Sequence, residues 1–272
     1  MAVDVEALGP RLMGFGDSLM STGLARGFRD RGKRAAFGDG TKIMWSRQDA
    51  HVFALNPNVA HPGEERARDL EWIANYKGRR LYNRQDGNRW VWNMDFRATP
   101  GEVVFAPLEI MKAKRHPKGF VLIEPNVPAW KSVAPNKDWG RQRYQDVAMR
   151  LRHEGVRVAQ LSYGQPLSGV EILAVGTFRD ALAALRRAAV YVGPEGGLHH
   201  GAAAVGVPAV VLFGGFIPPS VTGYDDHTNL TGGATDFCGS LNRCEHCRAA
   251  LDQISPADVV AAALAQISRR AA

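Results

Sequence analysis

The chain has 272 residues, 45% of them hydrophobic and 22% charged, with three cysteines. These proportions exclude wholesale disorder, collagen and coiled coil, and the length suffices for one large core or two domains without staples. Net charge is +7 and uneven: residues 1–117 hold 19 Lys and Arg against 14 Asp and Glu, and residues 118–272 hold 15 against 13.

In chain order, the first residues (MAVDVEALGPRLMG) carry two acids and no apolar run, so they do not read as a signal peptide. A helix is expected over 18–31, a short strand at RAAFG, and helices over 44–56 and 64–77. Strands with turns are expected over 87–105. The charged segment KAKRHPKG (112–119) is the natural linker between two α/β lobes. Beyond it the pattern sharpens. FVLIEP (120–125), VRVAQLS (156–162), VEILAVG (170–176), AVYVG (189–193) and PAVVLFG (208–214) read as strands. Residues 141–155, 179–188, 198–206 and 255–267 read as helices, the last with Ser255 as N-cap and Pro256 at the first helical position. Strands alternating with helices predict a parallel sheet. The least charged stretch, 196–224, contains two His and Pro208 and reads as helix, turn and strand rather than a membrane span.

Four segments carry chemistry. YVGPEGGLHHGAAAVGVPAVVLFG (191–214) is strand, Gly-rich turn, helix start, helix and strand. Free backbone N–H groups and the dipole at that helix start make an anion site, and Gly196 and Gly197 let a ligand approach the backbone. His199 and His200 fall in the first turn. A tight βα connection without a ligand would have the same pattern. In MGFGDSLM (13–20), Asp17 fits either a helix cap or a general base beside a cleft. The spacing is not a dinucleotide fingerprint. In NKDWG (136–140), Lys137 is a compact positive charge or simply a solvated side chain. In FCGSLNRCEHCR (237–248), Cys238, Cys244 and Cys247 fit three readings: metal ligands needing a fourth partner, a disulfide, or reduced and partly buried thiols. The small, odd cysteine count fits a reducing compartment. Trp90 and Trp92 are core residues or, with Arg79 and Arg80 nearby, the lining of an anionic or sugar site.

Taken in order, these segments resemble the family 9 glycosyltransferases, which include the lipopolysaccharide heptosyltransferases. GFGDSL at 14–19 is similar to the family's amino-terminal G-D motif and NKDW at 136–139 to its K-x-W segment. EGGLHH at 195–200, followed by AAAVGVP, is similar to its D-T-G-x-x-H motif and small-residue helix. Cys244, Cys247 and the I-x-P-x-x-V that follows are similar to its terminal segment. Glu195 and Gly196 stand where the family has Asp and Thr, which removes a hydroxyl.

The resemblance implies an α/β fold of the GT-B type: two Rossmann-like lobes facing a cleft, with the C-terminal helix crossing back to the first lobe. Residues 1–117 would bind the acceptor and 118–272 the donor. It implies inverting transfer from a nucleotide-diphosphate sugar, with no essential metal or cofactor. By position, Asp17 matches the catalytic base and Lys137 a phosphate-binding lysine. Glu195, Gly196, Gly197 and His200, with His199 beside them, match the diphosphate loop. Gly16, Arg79, Arg80, Trp90 and Trp92 are expected on the acceptor side. The basic first lobe and the family point to an anionic acceptor such as a lipopolysaccharide core, reached from the cytoplasm and peripherally at the inner membrane surface. Modified DNA bases are a second acceptor class, though no helix-turn-helix, zinc-finger or RNP motif supports it. A non-catalytic nucleotide-sugar-binding protein is the reading from another class.

Overall fold

The computed structural model describes residues 14–76, 78–127 and 132–271. Helix α1 (Phe15–Arg26) opens the described chain. It begins three residues earlier than the sequence pattern predicts, because Asp17 in its first turn accepts the N–H of Gly14 at 2.8 Å and fixes the start there. Strand β1 (Arg34–Phe37) and helix α2 (Arg47–Phe53) follow. Ser46 and Asp49 cap α2 reciprocally, and Ser18 of α1 donates to Asp49 at 2.6 Å, tying the two helices together.

Of the helix expected over 64–77, the described residues 64–76 instead form turns and strand β2 (Leu70–Ile73), which pairs in parallel with β1. The physical reason is long-range. Arg34 takes the carboxylates of Glu64 and Asp69 at 2.8 and 2.6 Å, so acids that would support a helix locally are committed across the chain. Strands β3 (Asn83–Asp86) and β4 (Arg89–Trp92) form an antiparallel hairpin. Its two-residue turn needs Gly87, whose φ is +54°. Helix α3 (Pro107–Ala113) ends this part. Among its described residues, parallel pairing is confined to β1, β2 and a single bridge from Val59 to Ala35.

The rest of the chain builds one sheet. Its elements are β5 (Val121–Ile123), α4 (Arg141–His153), β6 (Val158–Leu161), β7 (Glu171–Leu173), α5 (Phe178–Leu185), β8 (Val190–Pro194), α6 (Gly197–Ala204), β9 (Ala209–Leu212), α7 (Pro219–Thr222), β10 (Thr228–Leu230), α8 (Glu245–Asp252) and α9 (Pro256–Ala271). All its pairings are parallel, in the order β10-β9-β8-β5-β6-β7. Alternate side chains serve opposite faces. Val121, Ile123, Val190, Val192, Val210 and Leu212 pack with Tyr144, Val147 and Leu151 of α4 and with Val259 and Ala263 of α9. Leu122, Tyr191 and Val211 face the other way, toward Leu182 and Leu185 of α5. That cluster continues without a break into Leu19, Phe37, Trp45 and Phe53 of the first part.

Helix α9 corrects one expectation. Among the described residues it packs on the second part: its apolar face fills the sheet surface beside α4. Gln266 and Arg270 bond the backbone at Asp226, Ala188 and Ala189, all in the second part. Among the described residues, no helix is long and apolar enough to cross a membrane.

Candidate functional site

The strands all run parallel, but the order in which they are added reverses between β5 and β8. From β5 the chain moves outward through β6 and β7, and from β8 it moves the other way through β9 and β10. Such a switch point opens a crevice at the carboxyl ends of the two strands. A cavity of about 740 Å³ lies there. Its walls come from the turn after β8 (Pro194 to Leu198), from Glu124 and Asn126 after β5, from Lys137, and from Gly14 to Asp17 and Tyr82 of the first part.

The starts of α1 and α6 converge on this cavity because glycine allows it. A methyl group at Gly16 would sit 2.7 Å from Cδ2 of His200, and one at Gly197 would sit 3.3 Å from Cβ of Phe15. Phe15 also stacks on Phe178 at 3.8 Å between ring centroids. Two helix N-termini thus present unpaired N–H groups and positive dipole ends to one space.

Asp17 is 8% exposed. One carboxylate oxygen accepts from Gly14 N–H; the other accepts from the Tyr82 hydroxyl at 2.6 Å and lies 3.9 Å from a guanidinium nitrogen of Arg80. Burial first, and the negative charge of Asp17 second, push the Tyr82 phenol well up, so it stays a donor. Arg80 in turn lies 5.2 Å over the Trp90 ring.

Across the cavity, Glu195 pairs with Lys137 and lies 3.3 Å from Nε2 of His200. Burial opposes its charge, but Lys137 and His200 outweigh burial and hold the carboxyl well below its usual range. The other ring nitrogen of His200 shares a 2.8 Å hydrogen bond with Tyr224. Both nitrogens of His200 are therefore engaged. His199 does not reach the cavity wall. It is buried among Phe213, Tyr224 and His227 with neither ring nitrogen bonded, and burial holds it neutral, far below its usual pKa. Glu195, His199 and His200 are close enough to ligate one ion, but the Lys137 ammonium already neutralises Glu195.

The structure thus brings Gly16, Asp17, Lys137, Glu195, Gly196, Gly197 and His200 together. Arg80 stands behind Asp17. Arg79, Trp90 and Trp92 are not on the cavity wall: Arg79 is exposed, and the two tryptophans are half-buried against the core, with Trp92 edge-on to Phe216 at 5.5 Å. Sequence reasoning missed Tyr82, Tyr224, Glu124 and Asn126. Glu124 does follow the apolar run of β5, and a carboxylate at a strand's carboxyl end was the available signal. Burial raises its pKa to about 7, and one of its oxygens has no partner. Cys238, Cys244 and Cys247 are free thiols outside this cavity.

A sequence model of glycosyltransferase family 9 (heptosyltransferase) matches residues 109–248, about half the chain. No curated protein sequence matches it. Among solved structures, a family 9 glycosyl transferase from Veillonella parvula superposes with a TM-score of 0.62 at 15% identity, over 94% of this chain and 95% of that one. The iron-containing dodecameric glycosyltransferase TibC from enterotoxigenic E. coli gives 0.61 at 15% identity, over 97% of this chain and 75% of that one. E. coli ADP-heptose LPS heptosyltransferase II gives 0.47 at 16% identity over 67% of this chain, which spans 55% of that enzyme's length.

Proposed function

The chain belongs to glycosyltransferase family 9, and from that premise we propose that it is an inverting, metal-independent glycosyltransferase using a nucleotide-diphosphate sugar. In this reading it is a GT-B enzyme: residues 118–272 hold the donor and residues 1–117 the acceptor. The single observation that supports it best is that Asp17 and the start of α6 share one cavity.

The diphosphate rests on the backbone N–H groups at the start of α6, where the dipole and the free donors favour anions. Lys137 has three N–H donors and spends one on Glu195, which leaves two for phosphate oxygens. Glu195 is itself an anion, so it serves the diphosphate by aiming Lys137. His200 has no free nitrogen and acts by positioning Glu195. As the sugar–oxygen bond breaks, charge grows on the diphosphate, and these donors stabilise it more than they stabilise the bound substrate. Asp17 takes the proton of the acceptor hydroxyl as that oxygen attacks the opposite face of the sugar. Tyr82 and Gly14 N–H hold the carboxylate in place while leaving lone pairs toward the cavity.

Arg79 and Arg80 and the basic excess of the first part suit an anionic acceptor, of which a sugar of a lipopolysaccharide core is our choice. Free cysteines suit the reducing cytoplasm, with peripheral contact at the inner membrane surface. Asp17→Asn, with folding verified by circular dichroism, is expected to lose about 10²–10⁴ in turnover while donor binding persists. Full turnover in that variant would remove Asp17 from the mechanism.

A further inference from the structure

Off the cavity wall, the segment after β10 gathers four metal-ligating side chains that the proposed reaction does not use. The three Sγ atoms of Cys238, Cys244 and Cys247 and a ring nitrogen of His246 all lie within 4.8 Å of one another. Around one tetrahedral ion, with metal–sulfur bonds of about 2.3 Å, sulfurs stand about 3.8 Å apart, so these four atoms surround a common centre on small shifts. Cys238 and Cys247 are 3.1 Å apart, crowded but well beyond the roughly 2.05 Å of a disulfide. Three thiolates and an imidazole are the donor set of a closed, structural site for zinc or ferrous iron.

The surroundings are built for it. Cys244 caps α8 and Cys247 lies in its first turn, so the C-x-x-C spacing sets both sulfurs at the helix start. His246 is held over the backbone of Gly215, where a methyl group would sit 2.5 Å from its Cε1. Ser240 N–H points at the Cys238 sulfur at 3.4 Å, the kind of outer contact that steadies a thiolate ligand.

The loop from 238 to 244 has no regular structure of its own, yet three other segments depend on it. Trp90 and Leu241 N–H groups bond Gly239 and Asn88, joining it to the β3–β4 hairpin. Cys238 and Gly239 N–H groups bond Gly215 and Phe216 after β9. The fully buried Asn136, next to Lys137, donates to the carbonyls of Ser240 and Asn242 and accepts the Cys244 N–H at 2.9 Å.

We propose that Cys238, Cys244, His246 and Cys247 bind one zinc or ferrous ion as a structural clasp. The clasp pins the β3–β4 hairpin and the Asn136–Lys137 turn to α8.

The test uses the full chain without a polyhistidine tag, purified from zinc-supplemented and, anaerobically, from iron-supplemented cultures. Elemental analysis is expected to find about one equivalent of one of the two metals per chain, and the richer preparation identifies the ion. A chelator should remove it and lower the melting temperature, and adding the metal back should restore both. Cobalt(II) added to the stripped wild type should give thiolate-to-metal charge-transfer bands. His246 is on the surface, so His246→Ala should fold normally and bind at least about tenfold more weakly; Cys247→Ser should abolish stoichiometric binding. These readouts do not require sugar transfer and stand or fall apart from it. Absence of both metals, a melting temperature indifferent to chelator, unchanged affinity in His246→Ala, or a Cys238–Cys247 disulfide found by mass spectrometry would each overturn the clasp.

Discussion

The four inner strands of the six-stranded sheet, β9, β8, β5 and β6, are buried throughout, whereas the first part has two parallel strands of which β1 is buried through Ala35, Ala36 and Phe37 and β2 is only half-buried, with the ion pairs of Arg34 at their edge. The sheet half makes a stiff floor, and the turn that would carry a diphosphate grows directly from β8 at its centre. The first part contributes little sheet of its own and places Asp17 through α1, whose Leu19 belongs to the core shared with the sheet. Precision at the carboxylate is thus borrowed from the neighbouring half. A site divided this way can keep its donor wall fixed while the acceptor wall varies.

That contrast can be broken by substitution. Leu122→Ala, in β5 beside β8 at the middle of the sheet, should cost about 2–5 kcal/mol in urea denaturation, as large-to-small changes in close-packed cores do. Arg34→Ala removes two ion pairs but from a quarter-exposed side chain, and about 1 kcal/mol or less is expected. Equal costs would mean that the first part is held as the sheet is. Gly16→Val tests the seam between the halves. Its side chain would meet His200, so a loss of about 1–3 kcal/mol is expected, with donor turnover falling further than stability explains. A fully active Gly16→Val would show that α1 and α6 need not approach so closely.

Glu124 sharpens the picture of the donor wall. Its folded pKa of about 7 lies above its ordinary value of 4.5 because burial disfavours the charge. Between those values the folded protein keeps a proton that the unfolded chain has released, so stability falls as pH rises through the window and stays lower above it. Glu124→Gln should therefore stabilise by about 1–3 kcal/mol near pH 8.5 and by almost nothing near pH 4. A pH-independent effect would show that the carboxyl is not buried as described. His199 and His227 act in the opposite direction. Burial depresses both, His227 to about 4, so each removes stability as pH falls below about 6.5.

How much of this was legible follows from where the information lies. Continuous apolar runs such as VLI at 121–123 and AVVL at 209–212 announce buried parallel strands locally, and the Gly-rich turn at 195–197 marks the helix start. Residues 64–77 misled because their acids answer to Arg34, thirty and more positions away. Tyr82 and Arg80 carry no motif, and only the folded chain brings them to Asp17. Of the adjacent histidines, helix geometry turns one toward Glu195 and the other into the core, a choice that residue type does not encode. A ring nitrogen of His246, which lies between two of the cysteines in the sequence, stands within 4.8 Å of all three sulfurs.

The central claim, a diphosphate seated at the start of α6 beside Lys137 and facing Asp17, is tested most directly by thermal shift with nucleoside diphosphates. At about 100 times Kd a ligand stabilises by about 2.7 kcal/mol, a rise of several degrees at this chain length. The wild type and Asp17→Asn should both show that rise with the same nucleotide, and Lys137→Ala should lose most of it. A wild type unmoved by every nucleoside diphosphate, or a Lys137→Ala that responds as the wild type does, would contradict the account.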